Sequence, residues 1–155
     1  MDESISKMKN DFLKSFNGHL NENERDIPFW HFCDNKEDAN KCAELVLSGK
    51  KKATSPSIWE LIIKNIAIPQ KGDLNIITNW EGVAKGIIQT RSVKILRFDQ
   101  ITSYHARLEG EGDGSLEYWR KAHRSYYERV LKGSSYDVKD SMPIVFEQFE
   151  LVYPH

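Results

Sequence analysis

The sequence predicts an α+β fold in which helices flank a small curved β-sheet. Apolar residues recur at helical spacing near both ends of the chain, whereas its middle carries apolar runs that are typical of strands. Hairpin-type turns join the predicted strands, in place of the long crossovers that βαβ units require. Together these observations favour an α+β class over a doubly wound parallel sheet.

The first two helices are predicted within the first 50 residues. The first carries apolar residues at the helical period, and the Asn-Gly pair at residues 17–18 is a fitting end for it. An aromatic, extended segment follows at residues 27–33. The Asp-Asn pair at residues 34–35 offers an N-cap for the second helix, which we expect to end at the Ser-Gly pair of residues 48–49.

A third helix is predicted after a run of lysines. Pro56 suits the first helical position, because that position needs no backbone N–H donor. Ser57 with Glu60 forms a capping-box pattern, and Ser55 would cap the helix one step earlier. We expect the helix to end near residues 69–72, where Pro and Gly interrupt the pattern.

The strands are predicted in the middle and at the end of the chain. Residues 74–78 are the first strand candidate, and after a tight turn residues 83–96 return as a long strand or strand pair. Gly86 inside this segment predicts a bulge or a close approach of backbone. Residues 144–153 are rich in Val, Phe and Tyr and predict a terminal strand.

Composition limits the classes of protein. The 155 residues suffice for roughly one domain with its own core. There are 22 Lys and Arg against 23 Asp and Glu, a net charge of -1, so any contact with nucleic acid must come from a local basic patch. No apolar run approaches the roughly 20 residues of a membrane span, and no signal peptide is apparent, so we expect a cytoplasmic protein.

Several metal and hydrolase motifs are absent from the sequence. Cys33 and Cys42 form no CxxC pattern, so two reduced thiols are expected rather than a zinc or thioredoxin-like site. The HExxH, PCxxC and GxSxG patterns are also missing, which excludes zincins, zinc deaminases and α/β-hydrolases as motif-supported classes. His31 lies between two aromatic residues, and we expect it to pack under the sheet.

A lysine-rich segment before the third helix is the first candidate for chemistry. Lys51 is crowded by Lys50 and Lys52 and lies near a helix N-terminus, and such crowding favours a neutral amine that can act as a base. Thr54, three residues further on, could lose its proton to Lys51. The alternative is a solvated run of lysines at a helix end, and the spacing excludes a P-loop.

An acidic, glycine-rich loop at residues 109–115 is the second candidate. It fails as an EF-hand, because position 12 of the loop is Arg120 where a Glu is required. Asp113 or Ser115 explains part of the loop as an ordinary helix N-cap. That explanation leaves out Glu109 and Glu111, which lie further upstream, and no metal ion is predicted here.

A fourth helix is predicted from about Ser115 to Leu131. Its apolar face carries His123 four residues from an aromatic residue on either side, which is typical of a core histidine. Exposed in a cleft, the same histidine would carry a proton or orient a base. Arg120 and Arg124 lie near the other face, where they would suit phosphate contact or simply a solvated surface.

These motifs, taken in order, resemble those of the ASCH domain family. Gly49-x-Lys51-x-x-Thr54 after a short helix is similar to the family's GxKxxT signature. Residues 106–123, with their acidic glycine-rich loop, are similar to the longer bacterial branch of the family. The resemblance extends over residues 28–153, nearly the whole chain.

The resemblance implies a PUA-like fold, a small β-barrel with flanking helices and a cleft for RNA or a nucleotide-like ligand. It implies an N-terminal helical extension at residues 1–27 and an ASCH domain at residues 28–155. Members of the family are thought to bind RNA. One small branch hydrolyses N4-acetylcytidine, and one member similar to the longer branch is linked to ribonuclease activity.

The hydrolase branch of the family supplies the candidate catalytic residues. Its Lys, Thr and later Glu match Lys51, Thr54 and Glu109 here. Thr54 would be the nucleophile, Lys51 would accept its proton, and Glu109 would protonate the leaving amine. This chain departs from that branch at Pro56, where the branch often has a basic residue, and in its acidic insert.

The remaining site predictions concern the ligand. The residues expected to contact it come from the same segments: Lys50, Lys52, Ser55, Glu111, Asp113, Trp119, Arg120, His123 and Arg124. We expect no cofactor and no membrane partner, and RNA or a small nucleoside or nucleotide as ligand. The alternatives are an RNA-binding module, with ribonuclease activity or without catalysis, and a protein–protein adaptor.

Overall fold

A computed structural model describes residues 1–15 and 26–154, so the predicted helix end at residues 17–18 lies outside the described residues. The elements are α1 (Glu3–Ser15), β1 (Phe29–Trp30), α2 (Lys36–Leu47), β2 (Ala53–Thr54), α3 (Ile58–Ile63), β3 (Leu74–Thr78), β4 (Ala84–Arg97), a 3-10 turn (Phe98–Gln100), α4 (Ser103–Glu109), α5 (Leu116–Leu131) and β5 (Pro143–Tyr153). In the described residues no helix is long and apolar enough to cross a membrane.

The strands confirm the α+β prediction. The described strands form one mixed sheet in the order β1-β3-β4-β5-β2. β1 runs parallel to β3, whereas the pairs β3–β4 and β2–β5 are antiparallel. β2 is therefore an edge strand, and it carries the Thr of the sequence signature.

The chain forms two compact units. The scaffold unit comprises the described residues within the ranges 1–49, 72–89 and 150–155, and the site unit comprises residues 50–71 and 90–149. Both units are assembled from separate stretches of sequence, and the predicted division of the chain at residue 27 stays a prediction.

The core of the scaffold unit is apolar. It joins one face of α1 to β3 and the first half of β4 through Ile5, Phe12, Ile27, Ile76, Ala84 and Ile87. Gly86 meets both expectations made for it. A Cβ there would lie 2.8 Å from the Leu151 side chain, and the register of the facing strand shifts between Ile77 and Thr78. A glycine is needed at this position because strand β5 comes too close to leave room for a side chain.

The core of the site unit is rich in aromatic residues. Its buried members are Ala53, Phe98, Ile101, Ala106, Trp119, Tyr127, Leu131, Met142, Ile144 and Phe146. Phe98 packs edge-to-face against both Trp119 and Tyr127, a geometry that aromatic pairs favour. The core thereby joins α5 to the first half of β5.

The start of the third helix agrees with one of the two predicted caps, whereas its first turn and its end differ from the prediction. Ser57 is the N-cap of α3, and its hydroxyl accepts the Trp59 N–H, so Pro56 lies before the cap instead of inside the first turn. The helix also ends at Ile63, well before the proline that was expected to stop it. Glu60 makes its contacts with Tyr126 and Lys64 instead of closing a capping box.

The N-terminus of α5 confirms the prediction, whereas α4 was not predicted. Ser115 is the N-cap of α5 and accepts the N–H of Tyr118. The seven-residue α4 occupies a stretch that the sequence left without an element, and it ends at Glu109 with Gly110 as its left-handed C-cap. This helix end positions the site.

Candidate functional site

A buried lysine lies between two carboxylates in the site unit. Lys51 is 3% exposed, and its ammonium nitrogen lies 3.6 Å from Glu109 Oε1 and 3.5 Å from Glu111 Oε2. The same nitrogen donates a 2.9 Å hydrogen bond to the Ala53 carbonyl. Together with His123, which contacts Glu109, these residues form what we call the Lys51 cluster: Lys51, Glu109, Glu111 and His123.

The end of α4 reaches the cluster because its backbone is held against the segment before β2. The Lys52 N–H donates a 2.7 Å hydrogen bond to the Leu108 carbonyl. Gly110 has a φ of 66°, and a Cβ there would lie 2.2 Å from the Lys50 carbonyl oxygen. Only glycine fits this turn, so the Glu-Gly pair that the sequence singled out brings the carboxylate and the lysine together.

Glu109 is the centre of the cluster. It is 1% exposed, and its Oε2 accepts a hydrogen bond from the indole N–H of Trp119. The Nε2 atom of His123 lies 3.1 Å from the same oxygen. A buried carboxylate is tolerated only where charges and donors surround it, and here a cation and two ring N–H groups do so.

His123 holds a proton against Glu109. Its ring stacks on Trp119 with 4.0 Å between centroids, and its Nδ1 lies 2.9 Å from the Trp119 carbonyl. Because a carbonyl can only accept, Nδ1 carries a hydrogen, and the contact at Nε2 then requires a second proton on either His123 or Glu109. Burial by itself lowers the pKa of His123, but the charge of Glu109 and the hydrogen bond to it outweigh burial, so the pKa is raised.

The contacts of Lys51 favour its charged form. Two carboxylates within 4 Å and a carbonyl acceptor all stabilise an ammonium and disfavour a neutral amine. A lysine that accepts a proton must first be neutral. In this arrangement Lys51 supplies positive charge, and the sequence-based role of proton acceptor would require these contacts to break.

Three members of the cluster have the donor set of a metal site. One ligand atom each from Glu109, Glu111 and His123 lies within 4.8 Å of the others. The ammonium of Lys51 already lies beside both carboxylates, so positive charge is present there without an ion. The absence of a metal stays a prediction.

The acidic loop divides between the cluster and the helix that follows. The Glu111 side chain is 21% exposed, which makes it the member of the Lys51 cluster most open to solvent. Asp113 is exposed and accepts the Ser115 N–H, and hydrogen bonds from Ser115 lower the pKa of Asp113. Asp113 therefore serves the start of α5.

Two further polar groups are buried next to β2. Ser55 is 4% exposed, and its hydroxyl has no hydrogen-bond partner among the described residues. The Tyr127 hydroxyl donates to the Ser55 carbonyl, and burial, followed by the charges of Glu109 and Glu60, raises the pKa of Tyr127 well above its usual value. Tyr127 is thus a neutral donor that anchors this segment to α5.

Thr54 lies on β2 and is paired across the strands with a glutamate that the sequence analysis did not single out. The register pairs Thr54 with Glu147 on β5, and Ala53 with Gln148. Glu147 is 5% exposed and accepts a 2.7 Å hydrogen bond from Thr90. Because Glu147 alternates with Val and Phe residues in a strand, its pattern was interpreted only as that of a terminal strand.

The predicted basic ligand contacts lie at the surface. Lys50, Lys52 and Arg120 are exposed, in contrast to Lys51. Arg124 is also exposed, where it pairs with Asp140 and lies over the Phe98 ring. Trp119 differs from them, since it is 2% exposed and belongs to the core.

Comparison with known proteins identifies the family. The chain belongs to the ASCH domain family, whose model matches residues 28–153. The crystal structure of an ASCH domain from Lactobacillus crispatus JV V101 is similar at a TM-score of 0.85 and 30% identity, over 97% of this chain and 95% of that one. Protein EF3133 from Enterococcus faecalis V583 has the same TM-score at 25% identity, over 98% and 90% of the two chains. No match was found among curated proteins.

Proposed function

We propose that this ASCH-domain protein hydrolyses an acylated nucleoside of the N4-acetylcytidine type. The observation that carries the proposal is the Lys51 cluster, in which a buried ammonium, a buried carboxylate and an imidazole share contacts within 4 Å. The resemblance to the family's hydrolase branch supports it, because Lys51, Thr54 and Glu109 match that branch's catalytic set.

Each residue of the set has a role in amide hydrolysis. Thr54 attacks the acyl carbon, which forms an ester and breaks the C–N bond. Lys51 supplies positive charge to the acyl oxygen as it becomes an oxyanion. The proton shared by Glu109 and His123 goes to the leaving amine, and water then hydrolyses the ester.

The buried cation favours this chemistry over simple phosphate contact. Lys51 is 3% exposed, so it is poorly placed to bind the flexible backbone of a long RNA. A charge held away from water acts more strongly on a developing charge than a charge in solvent does. The cost of burying it is consistent with a catalytic role.

Release of cytidine from N4-acetylcytidine tests the proposal. We expect the purified protein to release cytidine, and Thr54→Ala to lower kcat/KM by about 10²-fold or more, the usual contribution of a nucleophile and its proton transfer. Ser134→Ala is the matched control, because it removes a hydroxyl elsewhere in the site unit. Equal rates for the wild type and Thr54→Ala would refute the proposal.

RNA binding, with or without ribonuclease activity, is the second candidate function. The exposed Lys50, Lys52 and Arg120 favour it, since exposed cations suit phosphate contact. We expect Lys52→Ala to weaken binding of a labelled single-stranded RNA and to reduce its salt slope by about 1. Binding that does not change with salt would exclude this function, and a nucleoside site would show no dependence on chain length.

A further inference from the structure

A row of polar side chains crosses the sheet next to Thr54. Thr90, Glu147 and Thr54 lie on the adjacent strands β4, β5 and β2. The paired residues Thr54 and Glu147 point to the same face, and the Cβ atoms of such pairs lie about 4.5–5.5 Å apart. Thr90 donates a 2.7 Å hydrogen bond to Glu147 from the other side. The buried Glu147 is thus hydrogen-bonded to Thr90 on one neighbouring strand and paired with Thr54 on the other.

The proposed reaction needs a proton acceptor for Thr54. A threonine hydroxyl is a weak nucleophile until a base removes its proton. Lys51 does not fill this role in the observed arrangement, because its nitrogen already donates to the Ala53 carbonyl beside two carboxylates. An ionised carboxylate is an acceptor only, and the β2–β5 register places Glu147 directly across from Thr54 on the same face of the sheet.

We propose that Glu147 is the general base that activates Thr54, with Thr90 as a positioning residue. This inference rests on the proposed function for its reaction. The hydrogen bond from Thr90 fixes one oxygen of the carboxylate, and the strand pairing fixes the distance between the two strands. Since β2 is an edge strand, a substrate lying along this edge can meet groups from both faces of the sheet.

The protons and bonds balance over two steps. In the first, the Thr54 proton moves to Glu147, the Thr54 oxygen bonds to the acyl carbon, and the amine leaves with the proton held by His123 and Glu109. In the second, water adds its hydroxyl to the acyl carbon and returns a proton to His123 and Glu109. The ester bond breaks, and Thr54 recovers its proton from Glu147. The products are the free amine and a carboxylic acid.

Acylation of Thr54 by p-nitrophenyl acetate tests the inference without the nucleoside. Rapid quenching and peptide mass spectrometry measure the acyl group on Thr54, with Thr54→Ala as background. We expect Glu147→Gln to slow this acylation by about 10²-fold or more and to abolish the fall in rate at acidic pH. Glu150→Gln, an exposed carboxylate on the same strand, is the matched control and should retain the wild-type rate.

Thr90→Val is the second variant, in case Glu147→Gln does not fold. It removes the hydrogen bond to Glu147 and keeps the carboxylate. We therefore expect a smaller loss of acylation rate than in Glu147→Gln, and a shift in the pH below which the acylation rate falls. No acylation of Thr54 in the wild type, or wild-type acylation in Glu147→Gln, would overturn the inference. If Glu147→Gln is unfolded, unchanged acylation in Thr90→Val would also overturn it.

The two proposals fail in different ways. Acylation of Thr54 that depends on Glu147, without release of cytidine from N4-acetylcytidine, would sustain the general base and reject the substrate. Release of cytidine that requires Thr54 and is unchanged in Glu147→Gln would sustain the substrate and reject the general base.

Discussion

The cores of the two units differ in what they bury. Among the described residues, the buried charged side chains are Lys51, Glu60, Glu109 and Glu147, and all of them belong to the site unit. The scaffold unit packs Ile, Phe and Ala side chains, with Thr78 as its buried polar residue. Burying a charge costs free energy unless partners offset it, whereas apolar burial is directly stabilising. The contrast indicates that the buried charges of the site unit cost some stability, a cost that the proposed function would explain.

Among the variants that test this contrast, Lys51→Met is expected to cause the largest loss of stability. The variant leaves Glu109 and Glu111 without their cation, and breaking a buried ion pair on one side costs about 3–5 kcal/mol. Urea denaturation measures the free energy of unfolding. Lys52→Met is the matched control, because that lysine is exposed, and its effect should stay within about 0.5 kcal/mol. Equal stabilities for the two variants would mean that the cluster is not held by Lys51.

Ile87→Ala probes the scaffold unit. Ile87 is fully buried in an apolar core, so its truncation should destabilise the protein by about 2–5 kcal/mol. We expect cytidine release per folded molecule to stay unchanged, because the lost contacts are apolar. A lower kcat, measured where the variant is fully folded, would contradict the claim that the core of the scaffold unit contributes stability alone.

Gly110→Ala tests how the cluster is assembled. The added Cβ would clash with the Lys50 carbonyl at 2.2 Å, and the φ of 66° disfavours alanine, so we expect a loss of about 1–3 kcal/mol. Gly133→Ala is the control, since that glycine has a similar φ of 81° with open space around it. A smaller loss for Gly110→Ala than for the control would contradict the close approach at α4.

The smallest predicted effect is a pH dependence at His123. Because the folded state raises its pKa, the stability that His123 contributes is present below its unfolded pKa of about 6.5 and is lost as the pH rises through the folded value. The difference in stability between wild type and His123→Asn should therefore shrink as the pH rises from about 5.5, one unit below the unfolded pKa, to about 9.

His105 supplies a control of opposite sign. Burial, followed by the charge of Lys94, lowers its pKa, so its contribution is present above the unfolded value and is lost as the pH falls. Thermal melts of His105→Asn and His123→Asn over the same pH range should move in opposite directions relative to wild type. Parallel curves would contradict the assignment of a shared proton to His123 and Glu109.

The longer elements could be predicted from the sequence, and the shortest could not. α5, β3 and β4 have enough residues for a period to appear, and Ser115 caps α5 as expected. α4 has seven residues with a largely exposed polar face, and β2 has two, so neither shows a period. Thr102, which caps α4, and Gly110, which ends it, were signals that could have marked the helix.

The site was predictable only where a family pattern drew attention to residues. Lys51 and Glu109 are far apart in sequence, and their ion pair depends on a backbone contact at Gly110 that no local pattern encodes. Thr54 and Glu147 are paired by strand register, which could not be inferred from the sequence because β2 was not predicted. Local propensity thus identifies elements, whereas the partners of buried polar groups depend on tertiary structure.

Hydrolysis of N4-acetylcytidine by Glu109→Gln tests most directly whether the Lys51 cluster is functional. The amide keeps the shape of the side chain and an acceptor for Trp119, but it removes the charge that holds the proton with His123. At full folding, our account predicts that kcat falls by about 10²-fold or more. A folded variant with a kcat within about threefold of the wild type would show that the cluster serves stability alone.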